Sequence, residues 1–156
     1  MKTGFFPNGS GVVFDNDGKI VTNYHVIKDA YKNNQKLIIE LNNGEINEAV
    51  ILGFSEISDI AVIQTINNSN LKPLKIKKNI DNLRVGEQVI AIGNPQGLGK
   101  SFSMGIVSAI NRQFKNVNGS FIQTDASINP GNSGGALIDR EGTVSYTHLT
   151  LPTIPQ

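Results

Sequence analysis

Apolar residues in this chain come in short runs, and each run is broken by Asn, Asp or Gly. "GVVF" (11–14) meets "KIVTN" (19–23) across "DNDG", and "KLIIEL" (36–41) meets "EINEAVILGF" (45–54) across "NNG". Asn-Gly and Asp-Gly supply the positive φ that tight hairpins need. "DIAVIQT" (59–65), "EQVIAIG" (87–93), "SMGIVSAIN" (103–111), "SFIQT" (120–124) and "GGALID" (134–139) continue the pattern. Runs this short and this rich in Ile and Val predict an all-β barrel or sandwich. Only "HVIKDAYKNN" (25–34) reads as a short helix. The polar stretch 67–87 divides the strands into two groups of about five, which predicts two small β-lobes.

With 156 residues, 38% of them hydrophobic and 17% charged, the chain has material for one compact core or two small ones. The net charge of +1 leaves no electrostatic footprint for nucleic acid. The basic run "LKPLKIKKN" (71–79) reads as a solvated linker. Without cysteine there is neither a disulfide framework nor a thiolate zinc site, and no metal or cofactor is expected. No apolar run approaches the ~18 residues of a membrane span. "MKTGFFPNGSG" lacks the apolar core of a signal peptide, so the protein is expected either to be cytoplasmic or to begin further upstream.

Two glycine-rich segments invite a chemical reading. "AIGNPQGLGKS" (91–101) imitates a phosphate-binding loop, but the required Gly is replaced by Asn94. The following "FSMGIVSAI" reads as strand, not as the helix whose N-terminus would hold a phosphate, so no nucleotide is expected. "NPGNSGG" (129–135) is ordinarily just a turn. Yet a serine nucleophile needs a sharp, uncluttered backbone with N–H groups aimed at the developing oxyanion. Gly131 and Ser133 supply two such donors, Asn132 lies between them, and Pro130 stiffens the approach to the loop.

A nucleophile needs a base, and the base needs a carboxylate to fix its tautomer. His25, in "VTNYHVIKDA", is the one histidine before the C-terminal stretch. Of seven aspartates, Asp59 at the start of "DIAVIQ" is the best placed for partial burial, with Asp29 as the alternative. The order His, Asp, Ser on a two-lobed β pattern is that of chymotrypsin-type enzymes. "GNSGG" also fits G-x-S-x-G, the nucleophile turn of α/β-hydrolases, in which the histidine comes last and His148 would be the base. The β character of the flanks and the early His25 argue against that arrangement.

These residues resemble the HtrA/DegP-type serine proteases of the trypsin-like superfamily, from about Gly9 to about Gly142. "GSGVVFDNDGKIVTNYHVI" resembles the family's first strands and histidine motif, and "SDIAVIQ" its aspartate motif. "LRVGEQVIAIGNPQGLGKSFSMGIVSAI" resembles the opening of its second barrel, and "FIQTDASINPGNSGGALID" its nucleophile motif. The resemblance implies two antiparallel six-stranded barrels, here residues 1–72 and 73–142, the second incomplete. It also implies Ser133 as nucleophile, His25 as general base and acid, Asp59 as orienting carboxylate, and an oxyanion hole at Gly131, Asn132 and Ser133. Ser127 would floor the substrate pocket and Ile128 line its wall, favouring a small or medium aliphatic side chain before the cleaved bond. Protein or peptide substrates, a homotrimer and an extracytoplasmic location follow from the same resemblance. The alternative is a protease-like chaperone or binding module without catalysis.

Residues 144–156 contain no charged residue, no Gly and no Asn. "VSYTHLTLPT" back-translates to a string that resembles a transposon-type sequencing adapter read in frame, starting within the codon of Thr143. Gly142 is therefore the expected last native residue, with 143–156 a non-native tail. A second barrel short of its last strands would leave open edges, so the chain as written is expected to fold poorly or be inactive.

Overall fold

The computed structural model describes residues 9–67, 71–76, 83–94, 100–114, 117–129 and 131–146. Among the described residues ten strands and one helix follow in the order β1 (Val12–Val13), β2 (Lys19–Asn23), α1 (Tyr24–Lys32), β3 (Leu37–Glu40), β4 (Ile46–Ser55), β5 (Ile60–Thr65), β6 (Gln88–Gly93), β7 (Ser101–Phe114), β8 (Val117–Thr124), β9 (Ala136–Ile138) and β10 (Val144–Tyr146). They form two antiparallel sheets of five strands each, ordered β1-β2-β5-β4-β3 and β10-β9-β6-β7-β8. The expected all-β, two-lobed architecture is present. Each described sheet has five strands where the resemblance implies six, and remains open at its outer strands.

Local chemistry explains the elements. Gly44 takes φ +82° in the turn between β3 and β4, as the "NNG" break requires. In the β1–β2 hairpin, Asp15 accepts from the Lys19 backbone N–H and from its ammonium (2.9 and 2.8 Å). That ammonium holds the Asp15 carboxyl below the usual carboxylate range. α1 buries Tyr24 and Ile27 against the first sheet. The Tyr24 ring stacks on Phe54 of β4 and Tyr31 meets Phe54 edge-on, both with centroids 4.7 Å apart. From Ser101 onward the chain is strand, as expected; residues 95–99 of the glycine-rich segment before it lie outside the described residues.

Each sheet has its own core. Ile20, Tyr24, Ile27, Ala49, Ala61 and Ile63 fill the first; Leu83, Val89, Ala91, Val107, Ala126 and Leu137 fill the second. A third cluster joins them: Val12 of the first sheet packs with Ala136 and Val144 of the second. The segment between the lobes is bonded to both. The Leu74 N–H donates to the Val13 carbonyl (3.0 Å), and the Lys75 carbonyl accepts from the Val144 N–H (2.8 Å).

Residues 143–146, placed in the tail on sequence grounds, are built into the second sheet. The Thr143 N–H donates to Asp139 Oδ1 (2.8 Å), Val144 is fully buried, and β10 pairs with β9. Residues 147–156, including His148, lie outside the described residues.

Candidate active site

Asp59 sits in the turn between β4 and β5 at φ +50°, a left-handed conformation that aspartate tolerates better than most residues. The turn brings it to the N-terminus of α1, 34 residues back in sequence. There it does the work that an N-cap side chain usually does. Its carbonyl accepts from the Tyr24 N–H (3.0 Å), and its Oδ1 accepts from the His25 N–H (2.8 Å). Asn23 occupies the N-cap position but makes no capping bond with its side chain. Instead its Nδ2 donates to the Asp59 carbonyl (3.0 Å) and to Asp59 Oδ2 (3.2 Å). The sequence reading missed Asn23; its place two residues before His25 was the available signal.

The same carboxylate orients the imidazole. His25 Nδ1 lies 2.7 Å from Asp59 Oδ2. An ionised carboxylate only accepts, so Nδ1 carries a proton, and in the neutral ring Nε2 keeps its lone pair. That is the tautomer a general base needs. The His25 side chain is 47% exposed and Asp59 25%, so the free edge of the ring faces solvent while its partner is partly shielded. Asp29, the alternative carboxylate, instead accepts through its carbonyl from Asn33 within the helix.

Ser133 comes from the second sheet, in a buried loop just before β9, where it is 6% exposed and Asn132 2%. The loop closes on itself: the Asn132 N–H donates to the Asn129 carbonyl (3.0 Å), and the Gly135 N–H to the Asn132 carbonyl (2.8 Å). The Asn132 N–H is thus already engaged, and Gly131 and Ser133 are the remaining donors of the expected oxyanion set. Pro130 lies outside the described residues. The loop abuts the end of β2. A Cβ on Gly134 would press on Ser10 O and Thr22 Oγ1 and stand 3.1 Å from the Asn23 N. Ser133 and His25 are therefore brought to one junction between the sheets. Among the described residues no hydrogen bond joins them; in serine–histidine pairs that work as nucleophile and base, the contact often tightens only when substrate is bound.

Gly134 is a sharp test of this packing. Gly134→Ala would add a methyl group where there is no room, at φ +79°. We expect a loss of about 3 kcal/mol, roughly 1 for the left-handed backbone and about 2 for overpacking. A urea melt of the full-length protein would read it, and an unchanged midpoint would contradict the packing.

The residues expected to form the pocket lie in the segment that follows β8 in the second lobe. The exposed Ser127 uses its carbonyl to accept from Ser103 Oγ (2.6 Å), and Ile128 packs half-buried against the second core. Asp125 Oδ1 accepts from the Ile106 N–H (2.7 Å) and hangs this segment on β7.

A model of the trypsin-like peptidase domain matches residues 9–145. The chain belongs to the trypsin-like peptidase family. It is 47% identical over 137 residues to the periplasmic pH-dependent serine endoprotease DegQ of Escherichia coli (strain K12), covering 86% of this chain and 29% of that protein. It is 45% identical over 141 residues to the periplasmic serine endoprotease DegP of the same strain, covering 88% of this chain and 29% of that protein. Among solved structures, the HtrA-type protease AlgW with a decapeptide superposes with a TM-score of 0.80 at 39% identity, covering 88% of this chain and 41% of that one. The chain thus spans less than a third of the length of DegP and DegQ, and it is of the HtrA/DegP type within the family.

Proposed function

We propose that the protein is a serine endopeptidase of the HtrA/DegP type that cleaves unfolded or misfolded proteins. The observation that carries the proposal is the 2.7 Å contact between His25 Nδ1 and Asp59 Oδ2, which leaves His25 Nε2 as an acceptor at the junction that Ser133 occupies. Ser133 Oγ attacks the scissile carbonyl while His25 Nε2 takes its proton. The tetrahedral oxyanion is held by the N–H groups of Gly131 and Ser133. His25 then protonates the leaving amine, and water attacks the acyl-enzyme to release the second product and free Ser133.

Ser127 brings no charge to the floor of the pocket, and Ile128 gives it an apolar wall. A substrate with Val or Ala before the cleaved bond is expected to exceed one with Arg by at least about 100-fold in kcat/KM, because a guanidinium buried without a carboxylate is strongly disfavoured. The location is extracytoplasmic, as the names of the periplasmic relatives suggest, and the assembly is a homotrimer.

The test uses the full-length protein. A fluorophosphonate probe should label one serine, and peptides differing at the residue before the cleaved bond should rank Val and Ala above Arg. Absence of labelling would remove the enzymatic reading; an Arg preference would remove the pocket assignment alone.

A further inference from the structure

Ser10 takes no part in the triad, yet it touches the site from four directions. Its N–H donates to the Ser133 carbonyl (2.7 Å), and its carbonyl accepts from Thr22 Oγ1 (2.6 Å). Its hydroxyl donates to the Gly131 carbonyl (2.7 Å) and accepts from the Asn94 N–H (2.9 Å). The direction of these last two bonds is fixed by chemistry. A backbone N–H only donates, so Oγ accepts from Asn94, and its single hydrogen goes to Gly131.

We infer that Ser10 is a positioning residue for the oxyanion hole, its hydroxyl fixing the Gly131 carbonyl and with it the Gly131 torsion that sets its own N–H relative to the Asn132–Ser133 turn. The inference rests on the reading of Ser133 as nucleophile. Three successive carbonyls of the loop are pinned: Gly131 by the Ser10 hydroxyl, Asn132 by the Gly135 N–H, and Ser133 by the Ser10 N–H. In a trans peptide the N–H of the next residue points opposite to the carbonyl: pinning the Gly131 carbonyl sends the Asn132 N–H to the Asn129 carbonyl, and pinning the Asn132 carbonyl aims the Ser133 N–H the other way. Gly131, at φ +99°, has the widest backbone freedom of the three. Its carbonyl is the one held by a side chain, so here the orientation depends on a single removable group. That group reaches the loop from 121 residues away, on the segment leading into β1, and ties it also to Asn94 just after β6. One hydroxyl therefore sets the donor loop against both sheets.

Ser10→Ala removes that hydroxyl and leaves the main-chain bonds to Ser133 and Thr22 in place. In the full-length protein, kcat for a peptide substrate should fall by about 10- to 100-fold, the scale of a misplaced catalytic group. KM should stay within about threefold, since the loss falls on the transition state and not on ground-state binding. Affinity for a peptide boronate, whose tetrahedral adduct on Ser133 fills the oxyanion site, should fall in parallel with kcat. Ile63→Val, in the core of the first sheet, is the control: it should lower Tm with kcat unchanged. A Ser10→Ala protein with wild-type kcat, or with its loss in KM, overturns the inference. So does one that fails to fold, because Ser10 would then hold up the fold and not the loop. Wild-type protein that neither cleaves nor binds the boronate overturns the proposed activity as well; wild-type activity shared by Ser10→Ala overturns the positioning role alone.

Discussion

Ser133→Ala is expected to lower kcat by about 10⁶-fold and to abolish fluorophosphonate labelling, while the melt of the full-length protein hardly moves. The two halves of this expectation have separate causes. The bonds that hold the loop use the backbone of Ser133 and of its neighbours, and alanine keeps all of them. The hydroxyl alone is lost, and with it the covalent path. The residual rate should be that of an oxyanion hole acting on water, about 10³- to 10⁴-fold above the uncatalysed reaction. Steady-state hydrolysis with a sensitive fluorogenic peptide would measure it. Activity above about 1% of wild type would mean that another group is the nucleophile, since single knock-outs of such a unit are far more damaging.

Asp59→Asn should cost about 10⁴-fold in kcat with a modest loss of stability. The geometry says why an isosteric change is so harmful. Oδ1 receives the His25 backbone N–H, which can only donate, so the amide oxygen must take that place. The amide nitrogen then falls at Oδ2, facing His25 Nδ1 and Asn23 Nδ2. At Asn23 donor then faces donor, and the imidazole must move its proton from Nδ1 to Nε2. A ring protonated at Nε2 has no lone pair for Ser133. Proton NMR of the ring nitrogens would show the exchange of tautomers, and an Nδ1-protonated ring in the variant would contradict this account.

Much of this was legible in the sequence, for identifiable reasons. The strands could be read because hairpins declare themselves locally: "KIVTN" is β2 residue for residue, and "NNG" marks the turn at Gly44. Ser133, His25 and Asp59 stood out because each lies in a short stretch of specific chemistry. What escaped was fixed by contacts distant in sequence. β10 has no apolar periodicity of its own; Val144 becomes a core residue because Lys75 and Ile76 reach it from the inter-lobe segment and β9 pairs beside it. Asn23 reads as the end of a strand, and only the fold shows its amide turned to Asp59. Ser10 sits between two glycines in "GSG", and nothing nearby reports that its partners are Gly131 and Asn94.

Asp59 closes the first turn of α1 with Oδ1 and steers the ring of His25 with Oδ2 of the same carboxylate. Local order and reactivity are therefore a single equilibrium at this point. If the turn loosens, the helix frays and the base loses its orientation in the same event. Under the proposed activity, a molecule that begins to unravel at this turn loses its base together with its first helix, so partial unfolding and inactivation are one step.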